Sequence, residues 1–155
     1  LLVGALAGCG GGEPPAVVVD APKFGGQSSQ PACGRLAAAL PAKVDDLRRR
    51  PTKPDVATVA AWGDPPVVLR CGVGPPPELT ATSQLSTVND VDWSTDEQPT
   101  RRVWTTFGRS VNVEVSVPRS HQPAVGPVVD LAAAIKATDP TVAPPHLMFS
   151  QPPSP

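Results

Sequence analysis

The stretch "TVNDVDWSTDEQ" gathers Asp90, Asp92, Asp96 and Glu97 around Trp93, and it begins like a calcium loop with Asp90, Asp92 and Ser94 at alternate positions. Such a loop then needs Gly at its sixth place and an acidic residue at its twelfth. Those places hold Thr95 and Arg101, so the match fails. Paired carboxylates also serve glycoside hydrolysis as acid and base, and an exposed Trp93 would offer a ring for a sugar to stack on. An acidic surface turn with Trp93 as a core anchor is the plainer reading. Asp90, Asp92, Trp93 and Asp96 are therefore kept as candidate binding residues, with no catalytic residue assigned.

The other reactive side chains are few. His121 and His146 lie in proline-containing segments, with no Cys, His, Asp or Glu at metal-ligand spacing. No metal and no cofactor is expected. Arg70, Arg101 and Arg102 would read an anionic ligand if they converged; pairing with the acidic turn or with Glu114 is the simpler expectation. No phosphate-binding Gly-rich loop and no Gly-x-Ser-x-Gly elbow occurs. The expectation is a protein that is not an enzyme.

The three cysteines are more informative. Leu6-Ala7-Gly8-Cys9 follows the apolar run "LLVGALAG", as in a bacterial lipobox, where cleavage precedes a lipidated cysteine. The run is too short to span a bilayer and fits the end of a signal peptide, its basic start and Met lacking. Residues 1–8 are thus expected to be removed, and Cys9 to carry the lipid. Cys33 and Cys71 remain as an even pair for an oxidising compartment. A reactive thiol would want a neighbouring His, and neither lies near. The expected bridge closes a loop whose entropy is worth about 4 kcal/mol.

The chain has 155 residues, 22 of them proline, and a net charge of −1. One ordinary domain fits that length. Nucleic acid and anionic surfaces want a concentrated basic face; composition offers none, and no nucleic-acid partner is expected. Residues 9–31, rich in Gly, Pro, Ser and Gln, read as a flexible tether reaching roughly 25 Å. Residues 32–139 read as the domain, and 140–155 as a proline-rich tail.

Within the domain, Pro31 is placed at the first turn of a helix through Cys33 to Leu40, with Leu36, Leu40, Val44 and Leu47 on one helical face. "DVATVAAWGDPPVVLRCGV" reads as strand, turn, strand, with Val67, Leu69, Cys71 and Val73 on one face. "RRVWTTFGRSVNVEVSVP" reads as a hairpin turning at Gly108-Arg109, pairing Thr106 with Val111 and Trp104 with Val113. An extended piece falls near 86–93. Pro127 opens a last helix with Val128, Leu131 and Ile135 inward, ended by Asp139-Pro140. The fold class expected is α+β: a small two-layer domain with a mainly antiparallel four- or five-stranded sheet, helices on one face and one disulfide.

In this order "LAGC", "AAWGDPPVVLRCGV", "TSQLSTVNDVDW" and "FGRSVNVEVSVP" resemble the actinobacterial family catalogued as domain of unknown function three-five-one-five. The resemblance covers roughly residues 33–138, with the Trp-Gly-Asp-Pro-Pro and Arg-Cys-Gly runs its most specific parts. It implies a secreted or lipid-anchored envelope protein and supplies no functional residues. The expected role is a non-enzymatic envelope lipoprotein on the extracytoplasmic face of the membrane, contacting another envelope protein. The alternative is a peptidoglycan- or glycan-binding module, or a weak hydrolase, using the turn around Trp93.

Overall fold

The computed structural model describes residues 13–23, 25–76 and 83–139; Cys9, His146 and the proline-rich tail lie outside them. Its elements in chain order are β1 (Val17–Val18), α1 (Gly26–Ala39), β2 (Lys43–Val44), β3 (Leu47–Arg50), β4 (Thr52–Lys53), β5 (Val59–Trp62), β6 (Val67–Val73), β7 (Ser86–Val88), β8 (Val91–Glu97), β9 (Arg101–Phe107), β10 (Asn112–Pro118) and α2 (Gly126–Thr138). The architecture is α+β. The main sheet is larger than the four or five strands expected: eight antiparallel strands run in the order β2-β3-β5-β6-β10-β9-β8-β7, beside a two-stranded parallel β1-β4 sheet.

The added strands come from two turns that a hydrophobic pattern does not reveal. Val44 and Leu47 sit at helical spacing, yet Pro41 stops α1 and Asp45-Asp46 both take positive φ, 49° and 61°. Two such residues make the tight turn that matches strand twist, so 43–50 is a hairpin rather than a helical turn. Asn89-Asp90 does the same at 48° and 65°, turning the extended piece into the hairpin β7–β8. At the β5–β6 corner Gly63 has φ 75°, and a Cβ there would stand 2.8 Å from the Leu47 side chain.

Helix α1 begins at Gly26, five residues before Pro31. Ser29, Ala32, Cys33 and Leu36 recur at helical spacing and all are buried, which carries the helix back through residues assigned to the tether. Pro31 itself is exposed, so the carbonyl its ring leaves unbonded can meet water. The segment before the helix also lies on the domain. Val17 N–H donates to Pro51 O at 2.8 Å and Val19 N–H to Lys53 O at 3.0 Å, while Arg50 Nη2 donates to Pro15 O at 2.6 Å.

Both helices cover one face of the sheet. Val128, Leu131 and Ile135 on α2, and Cys33 and Leu36 on α1, meet Val67, Leu69, Cys71, Val113, Val115 and Val117 in one core. Cys33 and Cys71 are bridged, their Cα atoms 5.7 Å apart across 38 positions of sequence. The bond ties α1 to β6, one of the two central strands.

The β9–β10 register differs from the one expected. Trp104 lies opposite Val115, and Thr105 opposite Glu114, a shift of two residues. A shift of two preserves the faces, so Trp104 still joins the valines inside. The longer turn is held from outside the hairpin, by the buried Asp139 described below.

Replacing both Cys33 and Cys71 by Ala is predicted to remove about 3–4 kcal/mol of stability and to lower Tm by more than about 10 °C. Thermal unfolding of the two proteins measures it, and an unchanged Tm would contradict the bracing role.

Candidate functional site

The sheet's second face carries polar side chains in register. Glu114 lies opposite Arg70 on one side and Thr105 on the other, and Thr105 lies opposite Ser94. Alternation along each strand sets these four in a row across β6, β10, β9 and β8. Val103 and Asp96 pair in the next row. The segment around Pro22-Lys23 borders one side and Gly74-Pro75-Pro76 another, enclosing an open groove of about 400 Å³. Its floor is the sheet, and Pro22, Pro75 and Pro76 stand along its walls.

Arg70 is already engaged. Its Nη1 meets Glu114 Oε1 at 3.1 Å and its Nε donates to Asp20 O at 3.0 Å. The ion pair fixes the groove floor, and the second bond fixes the N-terminal segment beside it. Asp96 accepts from Gln98 Nε2 at 2.8 Å. The groove therefore presents carboxylates, hydroxyls and one lysine to a polar ligand.

The acidic candidates do not converge. Trp93 is fully buried and meets Trp104 edge to face, centroids 6.4 Å apart, so its ring is closed to a sugar. Asp92 accepts from Thr87 Oγ1 across the β7–β8 pair at 2.6 Å. Asp90 stands at the turn, paired with Lys136 of α2 at 2.5 Å. That hydrogen bond, with the charge of Lys136, holds the Asp90 carboxyl below the usual carboxylate range. Only Asp96 lines the groove. Among the described residues, no group of three or more His, Cys, Asp or Glu is placed to hold a metal ion.

The arginines resolve into surface pairs. Arg102 bridges Glu97 and lies 5.7 Å over the Trp104 ring, and Arg119 meets Glu97 at 2.8 Å. Arg101 donates to Gln98 Oε1 at 2.7 Å. His121 donates through Nε2 to Pro65 O at 2.7 Å, tying the β10–α2 connection to the β5–β6 turn.

Two residues that sequence reasoning passed over hold this end of the domain together. Asp139, 1% exposed, accepts from the Ser110 hydroxyl, from Ser110 N–H at 3.1 Å and from Val111 N–H at 3.3 Å. Arg109 donates to the carbonyls of Asp139 and Asp90 at 2.8 and 2.9 Å. The β9–β10 turn is thus pinned to the end of α2 and to the β7–β8 turn. Asp139 reads in sequence as a helix stop, and nothing local marks it as buried.

The sequence matches the family described as "Protein of unknown function (DUF3515)" over residues 3–144, and the chain belongs to that family. No curated protein and no solved structure matches it. No helix among the described residues is long and apolar enough to cross a membrane.

Trp93→Ala is predicted to destabilise the whole domain by about 3–5 kcal/mol, read as a lower denaturant midpoint; an unshifted midpoint would contradict its core position. Lys136→Ala should return the Asp90 carboxyl to its ordinary range, seen by NMR titration. Because the folded pKa is the depressed one, the pair stabilises above the unfolded value of about 3.9. Its contribution is lost as pH falls through the folded value. An Asp90 titration unaltered by Lys136→Ala would contradict that pairing.

Proposed function

We propose that this member of the family is a lipid-anchored protein of an actinobacterial cell envelope, held outside the cytoplasm by Cys9. Its disulfide-braced domain is a binding or assembly module for another envelope protein, without catalytic activity of its own. The observation that carries the reading is the polar groove on the sheet's second face. An ion pair at its floor and a disulfide behind it make a pre-formed, rigid surface for recognition. The Cys33–Cys71 bridge supports the compartment, since such bonds persist where thiols are oxidised. The lipobox-like Leu6-Ala7-Gly8-Cys9 supports the anchor.

A cell-wall glycan is the second ligand class. Asp96 at the groove's end and Glu114 on its floor can accept from sugar hydroxyls, a role that does not need the Trp93 ring.

A photoreactive residue at Ser94, inside the groove, and another at Ala133, on the exposed flank of α2, test the reading in cells. One discrete protein crosslinked from Ser94 and absent from Ala133 is the predicted outcome. Equal crosslinking from both positions would contradict a groove-bound partner. No protein from Ser94, together with cell-wall glycan binding lost in Glu114→Ala, would move the assignment to the second class. In the same cells Cys9→Ala should leave the membrane fraction on a high-salt wash, whereas the unsubstituted protein should need detergent.

A further inference from the structure

The described chain leaves the domain at a defined place. Residues 15–19 run beside 51–53, and Arg50 clamps the Pro15 carbonyl with one nitrogen and the Gly63 carbonyl with another, at 2.6 and 2.9 Å. Parallel pairing of Val17 with Thr52 places the exit beside β3. From Glu13 to Cys9 is four residues, a reach of at most about 14 Å. If Cys9 carries lipid, as proposed above, this edge of the sheet sits at the bilayer surface.

That edge is basic. Lys43 and Arg48 lie directly opposite each other in the β2–β3 pair, and both are exposed. Like charges in that position repel, so the sequence accepts a cost there. Arg48 shares a face with Arg50, and the exposed Lys53 follows on β4. Lys43, Arg48 and Lys53 have no ion pair with a described residue. Of the carboxylates nearby, that of Asp45 lies against Gly126 of α2, while Asp46 stands exposed in the β2–β3 turn. The turn at Asp45 packs on α2, its N–H bonded to Asp130 at 2.7 Å. Asp55 faces Arg49, whose guanidinium lies 5.0 Å over the Trp62 ring towards the helix side. Glu13 is the one acidic residue on the exiting chain itself. Composition conceals this arrangement, because the acidic residues that balance the net charge lie largely elsewhere in the chain.

We propose that the edge formed by Lys43, Arg48 and Lys53 docks on anionic lipid headgroups, holding the domain edge-on at the membrane beside its anchor. The inference rests on the lipid reading of Cys9 for its setting, but the surface binds headgroups whether or not the lipid is present. A lipid chain and a basic patch reinforce one another as anchors. Headgroup attraction falls off within a Debye length, which the short connection to Cys9 keeps within reach.

The full chain with Cys9→Ala isolates the patch. It is floated with vesicles of phosphatidylcholine, with and without phosphatidylglycerol as one lipid in three. Binding only to the phosphatidylglycerol vesicles, lost at high salt and weakened about 30-fold by Arg48→Glu but not by Arg35→Glu, is the expected result. Arg35 is an exposed cation on α1 and controls for net charge. Arg48→Glu sets opposite charges across the β2–β3 pair, so folding should be kept; Lys53→Glu is the second variant. No binding to phosphatidylglycerol vesicles at low salt, or equal binding by the Arg48 and Arg35 variants, would overturn the proposal. Failure of the anchor reading has a different signature, a Cys9→Ala chain that still needs detergent to leave cell membranes.

Discussion

An open sheet of eight strands with two helices on one side depends on keeping those helices in place, and the Cys33–Cys71 bond does this for α1 at the centre. It fastens α1 to β6, whose neighbours in the sheet are β5 and β10. Without it, α1 would be held by a short buried stripe, Ser29, Ala32 and Leu36. A domain of this size buries limited apolar surface, so a constraint on the unfolded chain is a large fraction of its stability. The two-helix layer, the valine-rich inner face and the buried Trp93–Trp104 pair all sit under that constraint.

The outer face follows from the same geometry. With the helices fixed on one side, the alternate residues of β6, β8, β9 and β10 point the other way, and the N-terminal segment lies along them. Arg70 connects the two features: it pairs with Glu114 on the sheet and holds Asp20 of the segment. The ion pair is partly exposed and adds little stability by itself. Its value is positional, because it sets both the floor and one wall of the groove. Arg50 acts similarly at the far edge, where the chain leaves towards Cys9. The groove and the basic edge are consequently separate surfaces of the same domain.

Much of the inner layer was legible in the sequence. Alternation of Val113, Val115 and Val117 marks the inward face of β10, and Pro127 with Leu131 and Ile135 marks α2. Cysteine arithmetic gave the bridge. The strands at the sheet's margins were not legible, because β2 and β7 are two and three residues long, too short for any period. Their turns, Asp45-Asp46 and Asn89-Asp90, depend on positive φ that these residues tolerate without advertising. The β9–β10 register escapes the local pattern because Asp139, 29 residues from Ser110 in sequence, holds that turn open. The same long-range dependence hides the groove: Arg70, Glu114, Thr105 and Ser94 meet only through strand register. Of the four candidate residues, Trp93 turns inward by its even spacing from Val91, and Asp96 alone reaches the groove.

We propose a disulfide-braced domain tethered by lipid outside the cytoplasm. Mass spectrometry of the protein purified from cell membranes without reductant tests this most directly. The predicted result is an N-terminal peptide beginning at an acylated Cys9, together with a linked pair of peptides containing Cys33 and Cys71. A peptide running unmodified through Cys9, or Cys33 and Cys71 recovered as free thiols, would contradict it.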